Sequence, residues 1–275
     1  MRTERPKWKA ALALAIALGA GASRASGQES LPVSPSKVER KNRAPVSEET
    51  IGVRLPRPRE ERLANGLSVL ILEDHRLPVV FVQLHLRGAG ALFDPEAFPG
   101  LASATAQMLR EGTPGRTSRE VAERLDRLGA SVGAGAAFGS PDTVVTGSGL
   151  SENLDEWLEM IFEVLLEPVF PEDELRRLKE RALVQLRQQR AAPRFLASER
   201  FHRAVFGDHP AAVVAPTQAA VETLTPELLA RWHRERYNPA GSVLAVAGDV
   251  DGNRLLRALK SLLARWGGGR AAFEL

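Results

Sequence analysis

The residue types that most often carry out chemistry are sparse in this sequence. Cysteine is absent, which excludes thiolate nucleophiles, thiolate metal sites and disulfides. No two of the five histidines lie three or four residues apart, so the pair of imidazoles that binds zinc from one helix is missing. The acidic run Glu172–Glu174 follows Pro171, where it complements the dipole of a predicted helix. Surface or capping roles explain the histidines, which are His75, His85, His202, His209 and His233.

Two glycine patterns that can accompany catalysis are also incomplete. Gly88-Ala89-Gly90 follows a predicted strand, but the third glycine and the Gly-Lys-Ser/Thr sequence of a phosphate-binding loop are missing. A loop that needs tight backbone turns is the better interpretation. The Gly-x-Ser-x-Gly turn of serine hydrolases is absent as well.

Composition indicates a globular protein without a nucleic-acid surface. The chain has 275 residues, of which 44% are hydrophobic and 26% are charged, which is ordinary for a folded domain. The net charge of +3 comes from the first 25 residues, because the remainder holds 32 basic and 33 acidic residues. Aromatic residues make up only 5%, with a single tyrosine, which argues against stacking on bases. We expect no nucleic-acid partner.

The N-terminus has the three parts of an export signal. Met1–Lys9 is basic, Ala10–Ala22 is an apolar run, and small residues follow. The run is shorter than the ~20 residues of a membrane span, so we predict a cleaved signal peptide over residues 1–25, with an uncleaved anchor as the alternative. No other segment is expected to span a membrane, and the mature protein is expected in the periplasm or outside the cell. Residues 26–61, rich in proline and charge, predict an extended tether.

The remaining residues, 62–270, predict one α+β domain. An Asn65-Gly66 turn predicts a hairpin, and Thr117 with Glu120 predicts a capping box. Regular structure is expected from about Arg62. The order of elements favours a mostly antiparallel sheet with helices packed on one face. The predicted strands are 67–72, 79–86, 130–138, 143–150 and 242–247, and the predicted helices are 100–110, 118–128, 153–166, 171–189, 194–205, 226–236 and 252–266.

Three segments in order resemble the pitrilysin/insulinase family of zinc peptidases. Leu63–Leu67 (LANGL) is similar to the family's opening hairpin, and Pro99–Thr113 (PGLASATAQMLREGT) is similar to its helix G-L-A-H-x-x-E-H-M-L-x-x-G-T. Tyr237–Ser242 followed by Ala247–Val250 is similar to its Y-x-P-x-N and V-G-D stretches. The resemblance covers residues 60–266 and implies the fold of one half-domain of that family.

The chain departs from the family at the positions of the metal site. Where active members carry His-x-x-Glu-His, this sequence has Ser103, Ala106 and Gln107, and Gln185 stands at the best match to the distant glutamate ligand. Neutral hydroxyl and amide groups do not replace two imidazoles and a carboxylate, and Ala106 lacks the general base. The resemblance therefore implies no zinc cofactor, no metal or catalytic residues, and no hydrolysis by this chain alone.

Active members pair two homologous domains, whereas the resemblance here covers one. We therefore expect the second half to be a separate chain or to be missing. The leading hypothesis is a non-catalytic subunit that pairs with an active homologue carrying His-x-x-Glu-His and helps to bind unfolded peptides. The alternatives are a protein-binding or structural module of the envelope, a truncated homologue, and residual peptidase activity with unconventional ligands.

Overall fold

A six-stranded sheet forms the framework of the protein, whose computed structural model describes residues 56–267. The strands lie in the order β1-β2-β8-β3-β7-β6, and all neighbours are antiparallel except β2 and β8, which are parallel. The predicted signal peptide, residues 26–55 of the predicted tether and residues 268–270 of the predicted domain lie outside the described residues. The strands are β1 (Arg59–Arg62), β2 (Ser68–Glu73), β3 (Val79–Arg87), a small hairpin of β4 (Gly112–Thr113) and β5 (Arg116–Thr117), β6 (Ser131–Gly135), β7 (Asp142–Leu150) and β8 (Val243–Gly248).

Helices cover one face of this sheet, as the sequence predicted. Their buried side chains join those of the strands in one core, in which Trp157 is fully buried. No helix in residues 56–267 is long and apolar enough to cross a membrane. The helices are α1 (Leu101–Met108), α2 (Ser118–Arg127), α3 (Leu154–Leu166), α4 (Glu172–Arg190), α5 (Pro193–Phe206), α6 (Gln218–Thr223), α7 (Pro226–Arg236) and α8 (Gly252–Leu262), with short 3₁₀ turns at Ala91–Phe93, Leu109–Glu111, Ser151–Asn153 and Pro210–Ala212.

The opposite face of the sheet, which we call the open sheet face, is covered by no helix of residues 56–267. Strand β3 alternates along its length, so that Val80, Val82, Leu84 and Leu86 enter the core while the residues between them point away. Phe81 is the second residue of this outward row, on a strand that lies between β7 and β8, and it is 59% exposed. None of the outward-pointing residues of the six strands is fully buried.

Most predicted elements are present, with differences at their ends. Regular structure begins at Arg59 rather than near Arg62, because Arg59–Arg62 pairs antiparallel with β2 across the predicted Asn65-Gly66 turn. Strand β6 ends at Gly135, not Phe138, and the last helix ends at Leu262, not Trp266. Helix α6 was not predicted, since its six residues are too few to show a helical period.

The Gly88-Ala89-Gly90 segment turns the chain tightly after β3. The backbone amides of Gly88 and Gly90 both donate to the carbonyl oxygen of Pro141, at 3.0 Å each. A Cβ atom on Gly90 would lie 2.3 Å from the backbone oxygen of Ser140, so only glycine fits. The structural interpretation of this motif is correct, since both amides are used within the fold.

Replacing Gly90 by alanine should therefore strain the β3–β7 connection. We expect Gly90→Ala to lower the free energy of unfolding by about 1–3 kcal/mol, because backbone atoms must move to admit the methyl group. Gly115→Ala is the matched control, since nothing lies within 4 Å of a Cβ there. Urea unfolding of both variants measures the difference, and equal stability of the two would contradict this account.

Candidate functional site

Helix α1 is held close to the sheet and to the helices around it. It contacts β6 and β7 on one side and α4 and α7 on the other. Its buried side chains include three alanines, Ala102, Ala104 and Ala106, which let the helix approach its neighbours closely. The sequence that resembled the family's zinc helix thus forms a helix at the centre of the domain.

The N-terminus of α1 is fixed by a carboxylate outside the helix. Asp94 accepts hydrogen bonds from the amides of Gly100, at 2.7 Å, and Ala102, at 2.8 Å. Gly100 has a φ of +98°, and a Cβ there would lie 3.0 Å from Pro216. Burial raises the pKa of Asp94 to about 6, although the two amide hydrogen bonds favour its charged form.

The structure brings three of the four predicted site residues together. Ser103 and Gln107 lie one turn apart on α1, and Gln185 lies on α4; all three line a cleft of about 450 Å³. The amide nitrogen of Gln107 donates to Ser103 Oγ at 3.1 Å and to the Ser103 carbonyl oxygen at 3.3 Å. These residues form the candidate site, which we call the α1–α4 cleft.

Ala106 occupies a neighbouring position. It is 1% exposed and lines a second cleft of about 190 Å³, which also contacts Val132, Gly133 and Ala134 of β6. We call this the β6 cleft. Gln107 and Arg181 line both clefts, so the two meet at these side chains.

The donors in the α1–α4 cleft do not fit a zinc ion. Zinc takes imidazole, thiolate and carboxylate ligands, whereas this cleft offers a hydroxyl and neutral amides. The Ser103 hydroxyl is also engaged by Gln107. Among residues 56–267, no three His, Cys, Asp or Glu side chains are grouped so that they could hold a metal ion.

The histidines lie outside both clefts and serve local contacts. His75 pairs with Asp249 at 2.7 Å, and this hydrogen bond raises the pKa of His75. His233 contacts the carbonyl oxygen of Leu165 at 2.7 Å, and burial lowers its pKa. His209 caps the 3₁₀ turn that begins at Pro210, where its ring accepts from the amide of Ala211.

The sequence analysis missed Arg181. This residue lies one helical turn before Gln185 and is the only charged residue that lines the α1–α4 cleft in the described part of the chain. Its four-residue spacing from Gln185 places the two on the same side of α4, and that spacing was the available signal.

Comparison with solved structures identifies the class of protein. The fold matches a peptidase M16 inactive domain from Pseudomonas fluorescens with a TM-score of 0.74 and 27% identity, over 80% of this chain and 53% of that one. It also matches the periplasmic protease PqqL from Escherichia coli with a TM-score of 0.70, over 81% of this chain and 26% of that one. At 20% identity, the second match concerns the fold alone. The domain is therefore a half-domain of the M16 type.

Sequence comparison names the family. Residues 69–214 match the sequence model of Insulinase (Peptidase family M16), and the chain belongs to this family. The resemblance drawn from the sequence motifs is thus confirmed.

Two curated relatives illustrate the range of this family. An uncharacterized zinc protease of Rickettsia bellii is 26% identical over 204 residues, which are 74% of this chain and 49% of the relative. The non-peptidase homolog YmxG of Helicobacter pylori is 27% identical over 198 residues, which are 72% of this chain and 45% of the relative. The chain spans about half the length of the curated relatives it matches.

Asp94 makes stability depend on pH in a defined window. Its pKa is about 6 in the folded protein against an ordinary 3.8, so the folded state binds more protons between these values. The free energy of unfolding should therefore fall as pH rises from about 4 to 6. The expected decrease is roughly 2–3 kcal/mol, because each unit of pKa shift corresponds to about 1.36 kcal/mol. Asp94→Asn should remove this slope. Chemical unfolding at several pH values compares the two, and parallel curves would refute the assignment.

Restoring ligands tests the placement of the four family positions. We expect the triple variant Ser103→His, Gln107→His, Gln185→Glu to bind one zinc ion, because the two imidazoles lie one turn apart and face α4. Ala106 is left unchanged, since the family position it occupies holds a base and not a ligand. Isothermal titration calorimetry measures the binding.

The control places the glutamate on another side of α4. Gln188→Glu replaces Gln185→Glu in the same background, because Gln188 is exposed and lines neither cleft. Zinc binding of equal strength in both triple variants would show that Gln185 does not face the two α1 positions.

Proposed function

We propose that this protein is a non-catalytic M16 subunit that pairs with an active zinc metallopeptidase and helps it to bind and process peptides in the periplasm. One observation supports the proposal: Ser103, Gln107 and Gln185 line the α1–α4 cleft and Ala106 lines the adjoining β6 cleft, so the positions that we assign to the family's ligands and base hold none of these groups. In this proposal the chain holds no zinc and hydrolysis takes place in the partner. The P. fluorescens inactive domain and the H. pylori non-peptidase homolog give precedents within the family.

Peptide binding is supported by the edge of the sheet. Strand β6 pairs with β7 on one side only, and no other described strand pairs with its second side. An extended peptide can add to such an edge through main-chain hydrogen bonds. The strand carries no charge, since its sequence is Ser-Val-Gly-Ala-Gly, and it borders the β6 cleft. A peptide on β6 would therefore lie beside the position of Ala106.

Pairing with a partner is supported by the open sheet face. Phe81 is 59% exposed, and the half-buried apolar side chains that continue from it along β3, β8 and β2 are Val79, Ala245, Ala247, Leu70 and Leu72. A contiguous apolar surface of this kind is typical of a site that binds another protein, because binding removes its apolar side chains from water. It lies on the face opposite the helices, so a partner bound there leaves the clefts accessible.

A second function is favoured by helix α5. None of its residues is buried, and Phe201, Val205 and Phe206 are exposed large apolar side chains. This surface fits the alternative of an envelope module that binds another protein without any peptidase. The two proposals differ in the partner and in the surface that binds it.

Capture from native envelope extract separates the two functions. With the 275-residue chain as bait, we expect stoichiometric recovery of a homologue that carries His-x-x-Glu-His, identified by mass spectrometry, and peptide hydrolysis by the captured complex. Phe81→Glu should abolish capture, because it places a charge on the open sheet face. Phe201→Glu is the matched control, since Phe201 is 63% exposed but lies on α5.

The reverse pattern would favour the envelope module. Recovery of an unrelated protein that is lost with Phe201→Glu and kept with Phe81→Glu would overturn the subunit proposal. Circular dichroism of both variants checks that the substitutions leave the fold intact.

A further inference from the structure

Arg181 is the one charged residue that lines the α1–α4 cleft in the described part of the chain, and it forms no ion pair there. Three other arginines of α4 pair with acids: Arg176 with Asp173, Arg177 with Glu174, and Arg190 with Glu199. The fifth arginine of the helix, Arg187, is exposed without an ion pair, but it lines neither cleft. Arg181 makes no hydrogen bond or ion pair within residues 56–267. The positions three and four residues away on the helix hold no acid that could serve it.

The surroundings of Arg181 are apolar walls with neutral polar groups. Phe138, Leu178 and Pro216 line the cleft together with the amides of Gln185 and Gln189. Those two amide side chains make no hydrogen bond within the described residues. A single cation, free amide donors and an apolar wall suit a ligand that presents a carboxylate next to an apolar group.

The size and position of the cleft point to a peptide. Its volume of about 450 Å³ is large enough for an amino-acid side chain and adjacent backbone. Arg181 also lines the β6 cleft, together with Arg110 and Glu111, and this cleft borders the free edge of the sheet. A peptide that adds to β6 can therefore continue toward Arg181.

We propose that Arg181 binds a carboxylate of the peptide, next to an apolar side chain that enters the α1–α4 cleft. This inference rests on the proposed function, of which it names the ligand chemistry. The guanidinium group donates two parallel hydrogen bonds to the carboxylate oxygens, and Gln185 and Gln189 supply further donors. The carboxylate comes either from the peptide C-terminus or from an acidic side chain near it.

Fluorescence anisotropy with three labelled peptides tests the proposal on the 275-residue chain. The first probe is fluorescein-Gly-Ser-Thr-Val-Thr-Val-Ser-Leu with a free C-terminal carboxylate, and the second is the same peptide as a C-terminal amide. The third is the amide with glutamate in place of the last serine. We expect one carboxylate-bearing probe, or both, to bind at least about 10-fold more tightly than the neutral amide.

Substitutions on α4 assign that difference to Arg181. Arg181→Ala should lower the affinity of the carboxylate probes to that of the amide and leave the amide unchanged. Arg187→Ala removes the same charge from an exposed position on the same helix that lines neither cleft, so it should change nothing. Arg181→Lys should recover part of the affinity, because it keeps the charge and loses the paired donors.

Each result of the anisotropy experiment supports or overturns a specific part of the carboxylate proposal. Preference for the first probe assigns the site to the peptide C-terminus, and preference for the third assigns it to an acidic side chain. Equal affinity of all three probes, or an unchanged preference in Arg181→Ala, overturns the carboxylate site while peptide binding stands. Binding of none of the probes overturns both the carboxylate site and the peptide-binding part of the proposed function, whereas pairing is decided by the capture experiment.

Discussion

Helix α1 approaches its neighbours closely through the buried residues Ala102, Ala104 and Ala106, and the rest of the candidate site depends on that close approach. Side chains larger than a methyl group at these positions would push the helix away from the strands or helices that it contacts, because protein interiors hold few spaces to absorb added volume. Asp94 and Gly100 fix the start of the same helix. The positions of Ser103 and Gln107 relative to Gln185 are therefore set by the packing of α1 and by the contacts at its N-terminus.

This arrangement leaves the shape of the α1–α4 cleft largely independent of the four positions that the resemblance assigns to the family's metal site. Nothing that positions α1 belongs to the four changed positions except Ala106, whose small side chain favours the close packing. The hydrogen bond from Gln107 to Ser103 satisfies both side chains within the helix. A cleft that is built by the surrounding structure can take a different ligand without a change of fold.

Much of the fold was predictable because its signals are local and periodic. The strand predicted at 79–86, the Thr117–Glu120 capping box and the helix predicted at 226–236 are all present. Strand β1 was missed because Arg59–Arg62 has no apolar pattern and is a strand only through its pairing with β2. Arg181 was missed although its four-residue spacing from Gln185 is visible in the sequence, because the sequence does not show that α4 contacts α1 and places this residue in the cleft.

The two edges of the sheet differ in charge, and this limits how copies of the chain can assemble. Every residue of β1 is charged, with the sequence Arg-Glu-Glu-Arg, whereas β6 carries no charge. Charged edge strands resist pairing with another sheet. Within residues 56–267, edge-to-edge addition to the six-stranded sheet is therefore favoured at β6, and two copies joined there would leave their β1 strands as the outer edges. Because those edges are charged, growth by repeated pairing of this sheet would stop at the second molecule.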